Sequence, residues 1–204
     1  MEGVAAGTPL PLPPGQGVSL PFEDLRASSA GDFPEVLFSS AKHGWRTPLD
    51  LFNALDDGFT FTTDLAAEAR NALLPAYLGP DHPDPLRRDA LALSWHDLPE
   101  GGQGGLRGWL NPPYGRGVGV WVTHALHARA LGALIVMLLP ARTGTRWFQE
   151  LLAAGGVEFR FLRGRLRFGG ESGEGAGDAA PFDSVIVVLR PLQEGAGRWG
   201  RVFA

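Results

Sequence analysis

Residues 133–139 read ALIVMLL, an unbroken apolar run that is followed by a proline. Seven residues are too few for a typical core helix, and a strand that is apolar at every position is buried on both faces. Such strands occur in parallel sheets that are covered by helices. The run therefore predicts the central strand of an α/β sheet.

Helical and strand patterns alternate on both sides of this run, which indicates βαβ units. We predict helices at 49–55, 66–74, 118–131 and 145–154, and further strands at 59–63, 108–110, 157–162 and 184–189. The predicted architecture is a mostly parallel central sheet with helices on both faces.

Two segments differ in composition from the rest. Residues 1–38 contain six prolines among Gly, Ser and Ala, a composition that cannot form a regular core. We expect an extended or disordered leader there, followed by one domain at 39–204, because the length suits a single full-sized domain. Residues 169–180 are nearly all Gly, Glu, Ala and Ser, which predicts a mobile loop.

The overall composition is 44% hydrophobic and 20% charged, without cysteine. No apolar run is long enough to cross a bilayer, and the N-terminus has no export signal. We therefore expect a soluble cytoplasmic protein with no membrane partner and no disulfide or thiolate metal site.

Charge is divided unevenly along the chain. Residues 1–105 hold 15 acidic and 6 basic side chains, whereas residues 106–204 hold 7 acidic and 12 basic ones. All cations but one are arginine, which binds phosphate in a bidentate manner. The second half could therefore face a nucleic acid, although a solvated basic surface would have the same composition.

The tetrapeptide Asn111-Pro112-Pro113-Tyr114 follows the predicted strand 108–110, where α/β sheets bind ligands. The Asn111 side-chain carbonyl and a proline carbonyl could accept both hydrogens of an aromatic amino group. Its lone pair would then be localised on the nitrogen for attack on a methyl group. Tyr114 offers a flat surface on which an extruded base could stack. The pattern predicts an amino-methylating site; the alternative is an ordinary proline-rich turn.

Two aspartates are candidates for cofactor binding. Asp64 follows the predicted strand 59–63 and precedes the predicted helix 66–74, so its carboxylate could pair with a ligand ammonium beside an open helix N-terminus. Asp89 could bind an adenine or a ribose. Each aspartate could equally be a helix N-cap.

Further motifs occur in a fixed order with this tetrapeptide, and together they resemble the phage-type DNA N-6-adenine-methyltransferases, the Dam-like enzymes encoded largely by bacteriophages and prophages. The resemblance covers residues 39–191. Its motifs are Trp45-Arg46-Thr47-Pro48, residues 61–67, Asp89-Ala90-Leu91 with Trp95, the Asn111 tetrapeptide, residues 139–143 with Trp147-Phe148, Gly164-Arg165-Leu166 with Phe168, and Pro181-Phe182.

The resemblance implies a Rossmann-like class I methyltransferase fold, S-adenosylmethionine as the methyl donor, a flipped adenine of double-stranded DNA as the substrate, and no metal. Thr47 and Pro48, with Trp45 beside them, would hold the methionine end of the cofactor. Asp64 and Ala66 would belong to the cofactor loop, Asp89 would contact the adenine or ribose, and Asn111 would lie between cofactor and base.

The chain departs from the superfamily pattern at two places. The usual Gly-rich cofactor loop is replaced by Asp64-Leu65-Ala66-Ala67, so the cofactor would have to lie close to the backbone of alanine residues instead of glycine residues. The Pro- and Asp-rich stretch 79–88 is longer than expected, which leaves Asp81 or Asp84 as alternatives to Asp89.

Arg142, Arg163 and Arg165 follow the later strands, and their charge and position make them candidates for DNA contacts. Two other functions stay open on the sequence. An Asn-Pro-Pro-Tyr enzyme could methylate a protein glutamine or an RNA amino group, or the domain could be a catalytically silent module that binds nucleic acid or a partner protein.

Overall fold

A five-stranded mixed sheet forms the centre of the computed structural model, which describes residues 46–169 and 176–192. All described residues belong to one structural unit. The predicted leader, residues 1–38, lies outside them. In chain order the strands are β1 (Thr63–Asp64), β2 (Arg107–Leu110), β3 (Leu134–Pro140), β4 (Val157–Phe161), β5 (Arg167–Gly169), β6 (Ala176–Ala179) and β7 (Ser184–Leu189).

The central sheet has the strand order β1-β2-β3-β7-β4, and β5 and β6 form a separate antiparallel pair. Strands β1, β2 and β3 are mutually parallel, whereas β7 is antiparallel to both of its neighbours. The run 133–139 forms the middle strand, as predicted, and all seven residues of β3 are buried.

The helices are α1 (Leu49–Phe59), α2 (Val118–Ala130) and α3 (Arg146–Ala153), and they cover both faces of the sheet. Residues of β3 alternate between the faces, as strand geometry requires. Ile135 and Met137 pack with buried residues of α2 and α3, whereas Val136 and Leu138 pack with α1. No helix among the described residues has the length and apolarity to span a membrane.

The predicted strand 59–63 was wrong over most of its length. Helix α1, predicted at 49–55, continues to Phe59, which is buried, and Thr60 ends it in a left-handed conformation at a φ of 51°. Asp56 caps this end, because its carboxylate accepts the backbone N–H of Phe61 at 2.6 Å. Only the two residues of β1 pair with β2.

The predicted helix 66–74 was also wrong: this segment forms turns and bends. Asn71 and Ala72 donate to the carbonyl of Glu68, which makes a single turn, but other N–H groups of the segment are bound by side chains and by a distant carbonyl. Ala67 donates to the carbonyl of Leu78 at 2.9 Å, and Ala69 donates to the Asp81 carboxylate at 3.0 Å.

Part of the predicted mobile loop 169–180 is an ordered strand, because residues of β6 pair with β5. Residues 170–175 lie outside the described residues. The five other predicted elements (108–110, 118–131, 145–154, 157–162 and 184–189) are present within one residue at each end. Four short 3₁₀ helices occupy much of the long connection from β1 to β2: Pro85–Arg87, Ala90–Ala92, Trp95–Asp97 and Pro99–Gly104.

Candidate active site

A cavity of about 1190 Å³ lies at the carboxyl ends of β1 and β2. Ligand pockets are typically about 300–1,000 Å³, so this cavity has room for a cofactor and a second organic group. The cavity contains most of the residues that the sequence singled out: Thr47, Pro48, Asp64, Ala66, Asp89 and the tetrapeptide Asn111, Pro112, Pro113 and Tyr114 all line it. Trp45 lies outside the described residues.

Asn111 is the first residue after β2 and is half-buried. Its Nδ2 atom donates a hydrogen bond to the Thr47 hydroxyl at 3.2 Å. Pro112 is buried and Pro113 is exposed, so the prolines form a rigid loop between the sheet and the outer surface. The structure thus joins the tetrapeptide 111–114 to the segment that precedes α1.

Tyr114 is held from several sides while it lines the cavity. Its hydroxyl donates to the backbone carbonyl of Leu138 on β3 at 3.2 Å. The centroid of its ring lies 6.0 Å from that of Phe168 and 5.4 Å from that of Phe182, both in edge-on arrangements. Burial raises the pKa of the Tyr114 hydroxyl, so this group stays protonated as a hydrogen-bond donor.

Asp64 is 4% exposed, and its carboxylate is enclosed by the loop that follows it. Burial raises the pKa of Asp64 to about 6, while hydrogen bonds from the backbone N–H groups of Leu73 and Ala66, at 3.1 and 3.4 Å, oppose the shift. The expected helix N-terminus beside this carboxylate is absent, since the following segment is not helical. Asp64 therefore closes a turn of the cavity wall instead of capping a helix.

Asp89 caps a short helix and also lines the cavity. It is exposed and lines the cavity, and its carboxylate caps a 3₁₀ helix by accepting the N–H of Leu91 at 3.0 Å. Asp84 and Asp81, the alternatives to Asp89, bind other groups. Asp84 caps the preceding 3₁₀ helix, and Asp81 accepts a hydrogen bond from the N–H of Ala69. Neither of them lines the cavity.

The 3₁₀ segment that carries Asp89 is packed on α2 through aromatic side chains. Trp95 is 1% exposed, its indole N–H donates to the carbonyl of Ala90 at 2.7 Å, and its ring lies 4.4 Å from that of His124. Burial lowers the pKa of His124, whose Nε2 atom lies 2.6 Å from the carbonyl of Leu93. Trp121 of α2 completes this contact and lines the cavity.

The predicted DNA-contact arginines lie in two different environments. The Arg142 guanidinium is 5.9 Å from the ring centroid of Phe182, next to Tyr114. Arg163 and Arg165 are exposed along a second, smaller cavity of about 470 Å³, here called the arginine groove. Arg167 lines both the arginine groove and the large cavity, as do Pro48 and Asp50. The groove therefore adjoins the large cavity.

Sequence reasoning missed several cations of this site. Arg167 continues the alternation of arginine at 163 and 165, a period of two that could have indicated it. Arg46, Arg70 and Arg88 also line the large cavity. Arg46 belongs to the Trp45–Pro48 motif, which gave it no role, and no local pattern identifies Arg70 or Arg88. In the part of the chain that the structure describes, no cluster of three or more His, Cys, Asp or Glu side chains could hold a metal ion.

The model of the DNA N-6-adenine-methyltransferase (Dam) family matches residues 36–201, which is most of the chain. The chain belongs to this family. Its members methylate the N6 amino group of adenine in DNA, and Dam-family membership confirms the resemblance drawn from the ordered motifs. No curated protein gives a significant match to the chain. Methyltransferases of this kind generally use S-adenosylmethionine.

Proposed function

We propose that this Dam-family protein is a site-specific, adenine-specific DNA methyltransferase with a Rossmann-like class I fold. It transfers a methyl group from S-adenosylmethionine to an adenine flipped out of double-stranded DNA. One observation carries the proposal: Asn111 and Tyr114 line the same cavity as Asp64 and Asp89. This cavity is large enough for a cofactor and a base.

The chemistry of the cavity wall suits S-adenosylmethionine, whose sulfonium supplies an activated methyl group. Asp64 offers a buried carboxylate for the cofactor ammonium, and Arg46 or Arg70 offers a guanidinium for its carboxylate. Asp89 is exposed to the cavity and can accept hydrogen bonds from ribose hydroxyls. Thr47, Pro48 and Ala66 complete the wall at the methionine end.

Asn111 and Pro112 prepare the target nitrogen. The Asn111 side-chain carbonyl and the Pro112 backbone carbonyl accept the two amino hydrogens, which localises the lone pair and stabilises the positive charge that develops on nitrogen. The new N–C bond would form as the bond from the methyl carbon to sulfur breaks, which would leave a neutral thioether, and the surplus proton on nitrogen would then pass to water. Tyr114 stacks on the base, and its fixed hydroxyl keeps the ring in one orientation.

The arginine groove binds the phosphates of the strand that carries the target adenine. Arg163, Arg165 and Arg167 are exposed and make no ion pair with any residue that the structure describes. The groove meets the large cavity at Arg167, so a strand on these arginines would have its base beside Tyr114. Arg142 lies on the Phe182 side of Tyr114 and gives a further cation for this strand.

DNA is favoured over a protein glutamine or an RNA amino group by the family match. A silent module is disfavoured because Asn111 and Tyr114 are both present and both line the cavity. With DNA as its substrate, the protein would act in the cytoplasm, and in that of a bacterial host if a phage or prophage encodes it.

Sequencing of modified bases in DNA from cells that express the protein tests the function. We expect N6-methyladenine in a defined sequence context, and no such signal from cells that express Asn111→Ala at the same level. Unmodified DNA in the presence of folded, cofactor-binding wild-type protein would exclude the proposal.

A further inference from the structure

The contact between Thr47 and Asn111 joins two segments that lie 64 residues apart in the chain. Thr47 is 8% exposed, so its hydroxyl is shielded from competing water. Its backbone is fixed by the next element, because the carbonyl of Pro48 accepts the N–H of Phe52 in the first turn of α1 at 3.0 Å. Thr47 is therefore a rigid partner for the Asn111 amide.

An asparagine amide rotates easily about its last torsion, and its two ends have opposite hydrogen-bonding roles. Only the carbonyl end can accept the hydrogens of an adenine amino group. The NH₂ end would present donors to those hydrogens and repel them. In the structure the Nδ2 atom is the end that contacts Thr47 Oγ1.

We infer that Thr47 is a positioning residue for the transfer reaction. By accepting a hydrogen bond from Nδ2 it fixes the rotation of the Asn111 amide, so that Oδ1 is the end kept for the amino group of the base. This inference rests on the proposed function, and it adds to the role at the methionine end of the cofactor that the resemblance implied for Thr47. The hydroxyl acts through Asn111 and touches no reacting atom.

The test compares Thr47→Val, which keeps the shape but removes the hydroxyl, with Thr47→Ser, which keeps the hydroxyl. Single-turnover methyl transfer is measured at saturating cofactor and DNA, and the Kd for S-adenosylmethionine is measured by calorimetry. Misplacement of a reacting group by about an ångström can lower a rate about 100-fold. We expect Thr47→Val to lower the transfer rate about 10- to 100-fold and to change the cofactor Kd less than about threefold. Thr47→Ser should restore the rate to within a few-fold of wild type.

Thr123→Val is the matched control, because the Thr123 hydroxyl bonds only within α2, to the carbonyl of Gly119 at 3.1 Å, and Thr123 does not line the cavity. It should leave the transfer rate unchanged.

Two results overturn the inference: a Thr47→Val enzyme that binds cofactor weakly but transfers at the normal rate once saturated, or equal rate losses in Thr47→Val and Thr47→Ser. Neither result would contradict the proposed function, which fails if the folded wild-type protein leaves DNA unmodified or if Asn111→Ala itself stays active. If Thr47→Val does not fold by circular dichroism, a Thr47→Ser rate 10-fold below wild type overturns the inference, and a near-normal rate supports it.

Discussion

The hydroxyl of Tyr114 lies 3.2 Å from the backbone carbonyl oxygen of Leu138, to which it donates a hydrogen bond. This bond connects the last residue of the tetrapeptide 111–114 to the central strand β3. The Tyr114 ring also meets Phe182 edge-on, with 5.4 Å between centroids. The ring is therefore oriented by the core before any base enters the cavity, which lowers the entropy lost on binding.

Substitutions at Tyr114 should separate the contribution of its hydroxyl to the core from the stacking of its ring on a base. Tyr114→Phe removes only the bond to Leu138, so we expect the free energy of unfolding to fall by about 1 kcal/mol and activity to stay within a few-fold. Tyr114→Ala also removes the stacking surface, which is worth about 1–3 kcal/mol per base. We expect its kcat/KM to fall about 10- to 100-fold. Equal kcat/KM values for the two variants, in a methylation assay on duplex DNA, would show that the ring does not stack on the base.

The buried carboxylate of Asp64 should make stability depend on pH. Burial raises its pKa from the ordinary value of 3.8 to about 6 in the folded protein, so between these values the folded state holds a proton that the unfolded chain has released. The free energy of unfolding should therefore decrease as pH rises from about 4 to about 6, by an amount on the order of 3 kcal/mol relative to Asp64→Asn. Urea unfolding of both proteins at several pH values measures this difference. A difference that does not change with pH would contradict the burial of an ionisable group at this site.

The same carboxylate should couple cofactor binding to proton release. An ammonium beside Asp64 favours the ionised form and lowers its pKa again, so S-adenosylmethionine should bind more tightly as pH rises through about 6. Calorimetry at pH 6 in two buffers of different ionisation enthalpy should detect a released proton with wild type. The Asp64→Ala variant should bind S-adenosylmethionine more weakly and release a smaller fraction of a proton on binding. If its Kd and proton release match those of wild type, Asp64 is not part of the cofactor site.

The segments that sequence reasoning predicted correctly have strong local patterns. The run 133–139 is apolar throughout and became β3, and residues 184–189 formed β7 as expected. The helix predicted at 66–74 failed because the carboxylates of Asp64 and Asp81 bind three N–H groups of that segment. Asp81 lies 12 residues from its partner Ala69, so no local periodicity reports this competition.

The candidate site was predicted in part for the same reason. Asn111 and Tyr114 follow a strand in an unusual tetrapeptide, which marks them within a single short window. The contact of Asn111 with Thr47 spans 64 residues, and the position of Arg167 between two cavities depends on how β5 is placed. Such relationships arise from tertiary packing, which the local sequence pattern does not contain.

Neutralising the arginine groove should weaken DNA binding in a salt-dependent manner. Each arginine that contacts a phosphate contributes about 0.9 to the slope of log K against log salt concentration. We expect Arg163→Ala, Arg165→Ala and Arg167→Ala each to reduce this slope by about one. Arg146→Ala is the control, since Arg146 is exposed, pairs with Glu150 at 3.1 Å and lines neither cavity. If the three groove variants have the same salt slope as Arg146→Ala, the arginine groove is not part of the DNA interface.

Gly79 should be intolerant of a side chain. A Cβ atom at this position would overlap the backbone oxygen of Ala67, in the wall of the large cavity. Gly79→Ala should therefore lower the free energy of unfolding by about 1–3 kcal/mol and weaken cofactor binding. Gly58→Ala is the matched control, because a Cβ there meets nothing within 4 Å and lies in helix α1, where alanine is favoured. If urea unfolding gives Gly79→Ala a free energy of unfolding equal to or greater than that of Gly58→Ala, the packing of this loop is contradicted.

The acceptor chemistry of Asn111 is tested most directly by transfer of a tritiated methyl group to duplex DNA. Asn111→Ala removes the side-chain carbonyl that receives an amino hydrogen, and Asn111→Asp, which keeps an acceptor oxygen, is the matched variant. We expect Asn111→Ala to abolish transfer while its calorimetric Kd for S-adenosylmethionine stays close to the wild-type value, with measurable activity left in Asn111→Asp. Wild-type turnover by Asn111→Ala would contradict the proposed mechanism.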